Sequence, residues 1–165
     1  MNIHYDNEIG VFGEEFMKQL QISELSEELQ YAVQLTKEIS QKADSKYYMY
    51  NVCAMLIDEK GNKFAGVNWE PANGDSTCGE VGAISNYMLS DRLPIKYVLT
   101  YGYPKNTEAR ENSFCTPCGR CRQRLIDYVN KDTICYGINE TATQVKEFTF
   151  DELLPNSFSS ANLNE

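Results

Sequence analysis

The chain has 165 residues and a mass of 18.8 kDa, with 42% hydrophobic and 24% charged residues, the proportions of one soluble domain built round a single core. Its 15 basic and 24 acidic residues leave a net charge of −9, a field that repels phosphate backbones, so nucleic acid is not expected as a partner. The longest apolar run, 52–57, falls far short of the roughly 18 residues a bilayer-spanning helix needs, and the N-terminus has neither the basic nor the apolar region of a secretory signal, so a cytoplasmic location with no membrane association is expected.

Residues 1–21 read as an N-terminal arm, with apolar Val11, Phe12, Phe16, Met17 and Leu20 enough for one short docking helix, and 22–165 as a single domain. From residue 23, Leu25, Leu29, Ala32, Val33 and Ile39 recur at helical spacing, with glutamates at the start where the helix dipole favours them. Two strands, 47–57 and 63–68, flank the turn at 58–62 and predict a β-hairpin. A helix over 78–89, a strand over 95–103, a helix over 118–129 and strands over 132–136 and 144–150 complete the chain. Strands interleaved with helices after an opening hairpin predict an α/β domain with a mixed sheet.

The six cysteines include two groups that carry chemistry: Cys78-Gly79-Glu80 and Pro117-Cys118-Gly119-Arg120-Cys121. In a reducing compartment such cysteines point to metal or catalysis before disulfides. A Cys-x-x-Cys pair at a helix start aims two sulfurs at one point, and Cys78, also at a predicted helix start, supplies a third ligand. Nothing equally well placed supplies a fourth; the one histidine, His4, lies in the arm. Three protein ligands and an open position are the arrangement of catalytic zinc, and the helix N-termini favour thiolates there. Glu80, beside the metal without ligating it, is placed to take a proton from a water and deliver it to a substrate nitrogen. The competing reading, a redox dithiol at Cys118 and Cys121 with a solvated Glu80, leaves Cys78-x-Glu80 unexplained.

A ligand, one residue, Glu, then Pro-Cys-x-x-Cys is the signature of zinc deaminases acting on cytosine or adenine. Over about 23–158 the chain resembles the small, homotetrameric branch of the cytidine deaminase family, which binds zinc through three cysteines. Four further stretches carry the resemblance. Asn68-Trp69-Glu70-Pro71-Ala72 is similar to the family's Asn-x-Glu-x-Ala segment, whose Asn and Glu bind the ribose hydroxyls, and Tyr50-Asn51-Val52-Cys53-Ala54 to its Phe-x-Val-Gly-Ala strand. The run 118–123 is nearly the family consensus, and Leu153-Leu154-Pro155-Asn156-Ser157-Phe158 resembles its C-terminal segment, whose Phe reaches a neighbouring subunit's pocket. The resemblance implies a three-layer α/β/α fold with a five-stranded mixed sheet, one zinc per chain on Cys78, Cys118 and Cys121, Glu80 as catalytic proton shuttle, and substrate contacts from Asn68, Glu70, Tyr50, Ala72 and Phe158. It implies hydrolysis of free cytidine or 2′-deoxycytidine to the uridine product and ammonia in a homotetramer.

The departures bear on substrate. Many members have Cys-Ala-Glu-Arg where this chain has Cys78-Gly79-Glu80-Val81, and an apolar residue after the Glu also occurs in blasticidin S deaminases. That antibiotic, or another modified cytosine nucleoside, is the alternative substrate. Glu70 argues for cytidine, since the antibiotic deaminases lack that carboxylate. Arg120 or Arg122 is expected to offset the charge that the missing arginine leaves. The connection 104–113 is longer than usual and leads into the metal loop, which predicts a place on the pocket rim; it reads there first as a mobile surface loop, and the alternative is a selector of a substituent beyond the plain nucleoside. Trp69 reads as core or subunit interface, Cys53 and Cys135 as small buried groups.

Overall fold

The computed structural model describes residues 18–163. Alternation along the central strands decides the layering: in β2 (Tyr50–Asp58) Met55 and Ile57 face one side of the sheet, Ala54 and Leu56 the other. The first side is covered by α1 (Glu27–Ser40), whose Leu29, Ala32 and Val33 pack on Met55, Ile57, Leu99 and Ile138. Ser26 starts this helix by accepting the Leu29 N–H, with Glu27 and Glu28 in the positively charged first turn. The second side carries α2 (Gly79–Met88) and α3 (Gly119–Leu125) over Ala54, Leu56, Val98 and Cys135. The result is the expected three-layer α/β/α arrangement.

The predicted hairpin joins β2 to β3 (Lys63–Val67), and its turn is closed by Asp58, whose carboxylate accepts from the Lys60 and Asn62 N–H groups while Gly61 takes φ +83°. β4 (Ile95–Pro104) pairs antiparallel with β2 and parallel with β5 (Ile134–Ile138), with α3 in the crossover. β5 returns antiparallel into β6 (Gln144–Thr149), followed by the short helix α4 (Phe150–Leu153).

The sheet has six strands, not the expected five. The sixth, β1 (Lys18–Gln21), comes from the end of the arm and pairs antiparallel with β6, giving the order β1-β6-β5-β4-β2-β3. Leu20 turns inward against the α1 side of the core while its neighbours stay in solvent. Four residues are too few for a period to show, and the partner strand lies at the far end of the chain. The other arm residues named above, with His4, lie outside the described residues. The strand expected from residue 47 starts at Tyr50, because Met49 takes φ 54°, and the helix expected to reach 129 ends at Leu125.

Candidate active site

The two helices that carry the cysteines are seated by backbone contacts. Gly66 on β3 lies so close to α2 that a Cβ there would meet the Ala83 N and Gly79 O at 2.3 Å, and one at Gly79 would meet the Gly66 O at 2.9 Å. Only glycine permits this approach, and it sets the start of α2 directly on the sheet. Trp69 and Thr77 exchange backbone hydrogen bonds of 3.1 and 3.0 Å, which bring the loop back and deliver Cys78 to the N-cap of α2. Before α3, the Cys115 N–H donates to the Ile138 O and the Glu140 N–H to the Ser113 O, extending β5 alongside 113–115. Arg122 then clamps the turn: its guanidinium donates to the Pro117 O at 2.7 Å, the Thr116 Oγ1 at 3.2 Å and, across to α4, the Leu153 O at 2.9 Å. Arg122 therefore acts on the loop that presents Cys118, and its hydrogen bonds go to oxygens rather than sulfurs.

The Sγ atoms of Cys78, Cys118 and Cys121 lie within 4.8 Å of one another, with Cys78 and Cys118 3.8 Å apart. Two thiolates bound about 2.3 Å from one tetrahedral zinc would be separated by about 3.8 Å, so the donor set fits that ion. Cys78 and Cys118 are helix N-caps and Cys121 lies in the first turn of α3, so two positive dipole ends face the cluster. Burial pushes the Cys118 thiol up, but hydrogen bonds from the Cys121 N–H and thiol and from the Cys78 thiol outweigh it and bring Cys118 below its ordinary value. Cys78 and Cys121 sit above theirs, chiefly through burial.

Glu80, in the first turn of α2, is 3% exposed. Burial raises its pKa, partly offset by a backbone N–H, by Cys121 and by the charge of Arg124. A carboxyl so placed exchanges a proton more readily near neutral pH than a solvated one. It lines, with Cys78 and Cys118, a cavity of about 220 Å³.

Asn68, Glu70 and Tyr50 line the same cavity. Each also has a local task that the sequence did not reveal. The Asn68 amide extends the hairpin, accepting from the Val52 N–H at 2.7 Å and donating to the Tyr50 O at 3.0 Å. One N–H and one lone pair of that amide remain for a ligand. Glu70, 3% exposed, holds the turn before β2, its Oε2 accepting from the Tyr47 and Tyr48 N–H groups at 2.7 and 3.0 Å. Tyr50 lies against β4 where Gly102 leaves room: a Cβ there would meet the ring at 2.6 Å and the Cys115 Sγ at 2.9 Å. Ala72 lines an adjoining recess that shares Tyr48, Glu70 and Ser76 with the main cavity. Phe158 is not part of the cavity wall; it is 59% exposed, its carbonyl accepting from Gln123. Trp69, at 49% exposed, is not a core residue of this chain. Cys53 and Cys135 are buried, as expected, and burial with the nearby Glu80 pushes the Cys53 thiol up to about 12.

Residues 26–138 match the family model described as the cytidine and deoxycytidylate deaminase zinc-binding region. The chain belongs to this family. The cytidine deaminase of Mycoplasma genitalium is 32% identical over 131 residues, covering 79% of this chain and 95% of that protein, and that of Mycoplasma pneumoniae is 32% identical over 126 residues, covering 75% and 89%. Among solved structures, cytidine deaminase from Burkholderia pseudomallei superposes with a TM-score of 0.67 at 23% identity, over 78% of this chain and 98% of that one. The Bacillus anthracis cytidine deaminase gives a TM-score of 0.60 at 19% identity, over 83% and 93%. Membership of this family makes the chain a hydrolytic deaminase, with Cys78, Cys118 and Cys121 able to hold its one zinc.

One constellation escaped the sequence entirely. Glu140, in the β5–β6 turn, is fully buried and ion-paired with Arg110 of the 104–113 connection at 2.7 Å. That connection is thus anchored beside the cavity. No spacing rule could have paired the two residues, which only the fold brings together.

Proposed function

We propose that this deaminase acts on free cytidine and 2′-deoxycytidine, replacing the 4-amino group by oxygen and releasing ammonia. The observation that carries the reading is the convergence of three cysteine sulfurs and one buried carboxylate on a cavity also lined by Asn68 and Glu70. A zinc held by the three sulfurs of Cys78, Cys118 and Cys121 would supply Lewis acidity and would bring the pKa of a water near neutrality. Glu80 moves the protons: one passes from an attacking water to ring N3 as the water oxygen bonds to C4, and the second passes from that same oxygen to the amino nitrogen as the C4–N bond breaks and ammonia leaves. Glu70 accepts from ribose hydroxyls with the oxygen its backbone donors leave open, and the spare Asn68 N–H donates to the same sugar. Tyr50 stacks on the pyrimidine.

The three-cysteine donor set supports a place in the homotetrameric branch. Phe158, outside this chain's own cavity wall, then completes a neighbour's site, and exposed Tyr47, Tyr48 and Trp69 are covered by other subunits. A reducing cytoplasm suits ligands that must remain thiols. The second reading is a blasticidin S-type substrate, favoured by Val81 after Glu80. Ultraviolet absorbance changes with cytidine, deoxycytidine, cytosine and blasticidin S in parallel separate the two. Rapid turnover of both nucleosides is expected; turnover of the antibiotic alone would transfer the chain to the second reading, and silence on all four would end both.

A further inference from the structure

The Glu140 carboxylate gathers five donors from three residues in two parts of the chain. Oε2 accepts from the Arg110 N–H at 2.7 Å and its Nε at 3.2 Å; Oε1 accepts from the Arg110 Nη2 at 2.7 Å, the Ser113 Oγ at 2.8 Å and the Tyr50 hydroxyl at 3.4 Å. Its backbone is engaged as well, the N–H donating to the Ser113 O at 2.9 Å and the carbonyl accepting from the Tyr101 hydroxyl at 2.9 Å. A covered carboxylate is costly to desolvate and is a poor source of stability against an apolar replacement. What the carboxylate adds is connection. One oxygen touches both the anchored connection and an aromatic of the cavity wall, and Ser113 lies two residues before Cys115, itself in that wall. Arg110 stands at the outer end with 70% of its side chain exposed, while the Glu140 side chain is fully covered.

We propose that Glu140 is a positioning residue. By holding Arg110, Ser113 and the Tyr50 hydroxyl on one carboxylate, it fixes the 104–113 connection behind Tyr50 and Cys115 of the cavity wall and sets how tightly a cytosine nucleoside is held. Tyr50 is then oriented from two sides, by the Gly102 notch behind its ring and by Glu140 at its hydroxyl. The inference rests on the nucleoside deaminase reading above.

The test uses the zinc-loaded full chain and its Arg110→Ala, Arg110→Lys, Glu140→Gln and Tyr50→Phe variants, with kcat and KM on the nucleoside the parent turns over, zinc content, and deuterium exchange across 105–116. Arg110→Ala and Glu140→Gln should raise KM about tenfold with kcat within about twofold, the pattern of lost ground-state and transition-state binding alike. Zinc content should hold and exchange in 105–116 should quicken. Tyr50→Phe should raise KM by a smaller factor without quickening exchange, and Arg110→Lys, which keeps the charge without the fork, should recover part of the loss. Unchanged KM in Arg110→Ala and Glu140→Gln overturns the proposal, and so does a fall in kcat that tracks lost zinc, because the cluster would then be holding the metal loop. Should Glu140→Gln fail to fold, Arg110→Ala, altered on an exposed side chain, decides alone. A parent inactive on every cytosine nucleoside defeats the functional reading instead; unchanged exchange in Arg110→Ala would then also defeat the anchoring.

Discussion

Glu80 and Glu140 are both buried carboxyls, and their surroundings send them opposite ways. Burial dominates at Glu80 and raises its pKa, whereas the hydrogen bonds from Arg110 dominate at Glu140 and bring it from 4.5 down to about 2. Glu80→Gln keeps the shape and removes the carboxyl proposed as proton carrier, so zinc content should be unchanged while kcat falls roughly 10²- to 10⁴-fold, measured by metal analysis alongside the absorbance assay. For Glu140 the native value lies below the unfolded one, so its stabilisation is complete above pH 4.5 and is lost as pH falls toward about 2. Acid unfolding in that window, followed by circular dichroism, should be steeper in the parent than in Glu140→Gln. At this scale the cysteine cluster able to hold a metal was legible in the sequence because its spacing is local, Cys-x-Glu and Cys-x-x-Cys. Glu140 was not, because Asn139-Glu140-Thr141 reads as a solvated turn until the 104–113 connection folds over it.

At the scale of elements, the site depends on how closely α2 lies on β3. Gly66→Ala would drive a methyl into the α2 backbone at 2.3 Å, a contact that only movement of the helix can relieve. It should cost about 1–3 kcal/mol, read as a lower urea midpoint, and weaken zinc binding by shifting Cys78 relative to Cys118. Gly119→Ala is the control: a Cβ there meets nothing within 4 Å, so stability and zinc content should stay near the parent's. The helices α1 and α2, the hairpin and the crossover were readable because their apolar periods are long. β1 was not, because four residues at the sheet edge have no period of their own and gain strand geometry only from β6. Asn68 and Glu70 illustrate a subtler gap: the resemblance marked them for substrate, and the fold gives each a second duty in holding β2 and the turn before it.

For the whole molecule, the cysteine cluster lies between the starts of α2 and α3 on one face of the sheet, so a zinc held there would tie the two helices together and link metal binding to folding. Stripping the metal with a chelator should lower the melting temperature, and adding zinc should restore it; an unchanged melt would show that the two helix starts need no metal to stay together. Light scattering should give a particle of four 18.8 kDa chains. Phe158→Ala should then lower nucleoside affinity without touching zinc content, since that ring lies outside its own chain's cavity wall. A monomer with full activity would remove the shared-site part of the reading. The most direct test of the central claim, that Cys78, Cys118 and Cys121 hold the ion on which deamination depends, is a zinc titration of the stripped chain with activity followed at each addition. Activity should rise in proportion and stop at one zinc per chain; turnover at the full rate before any zinc is added, or a break at another stoichiometry, would contradict it.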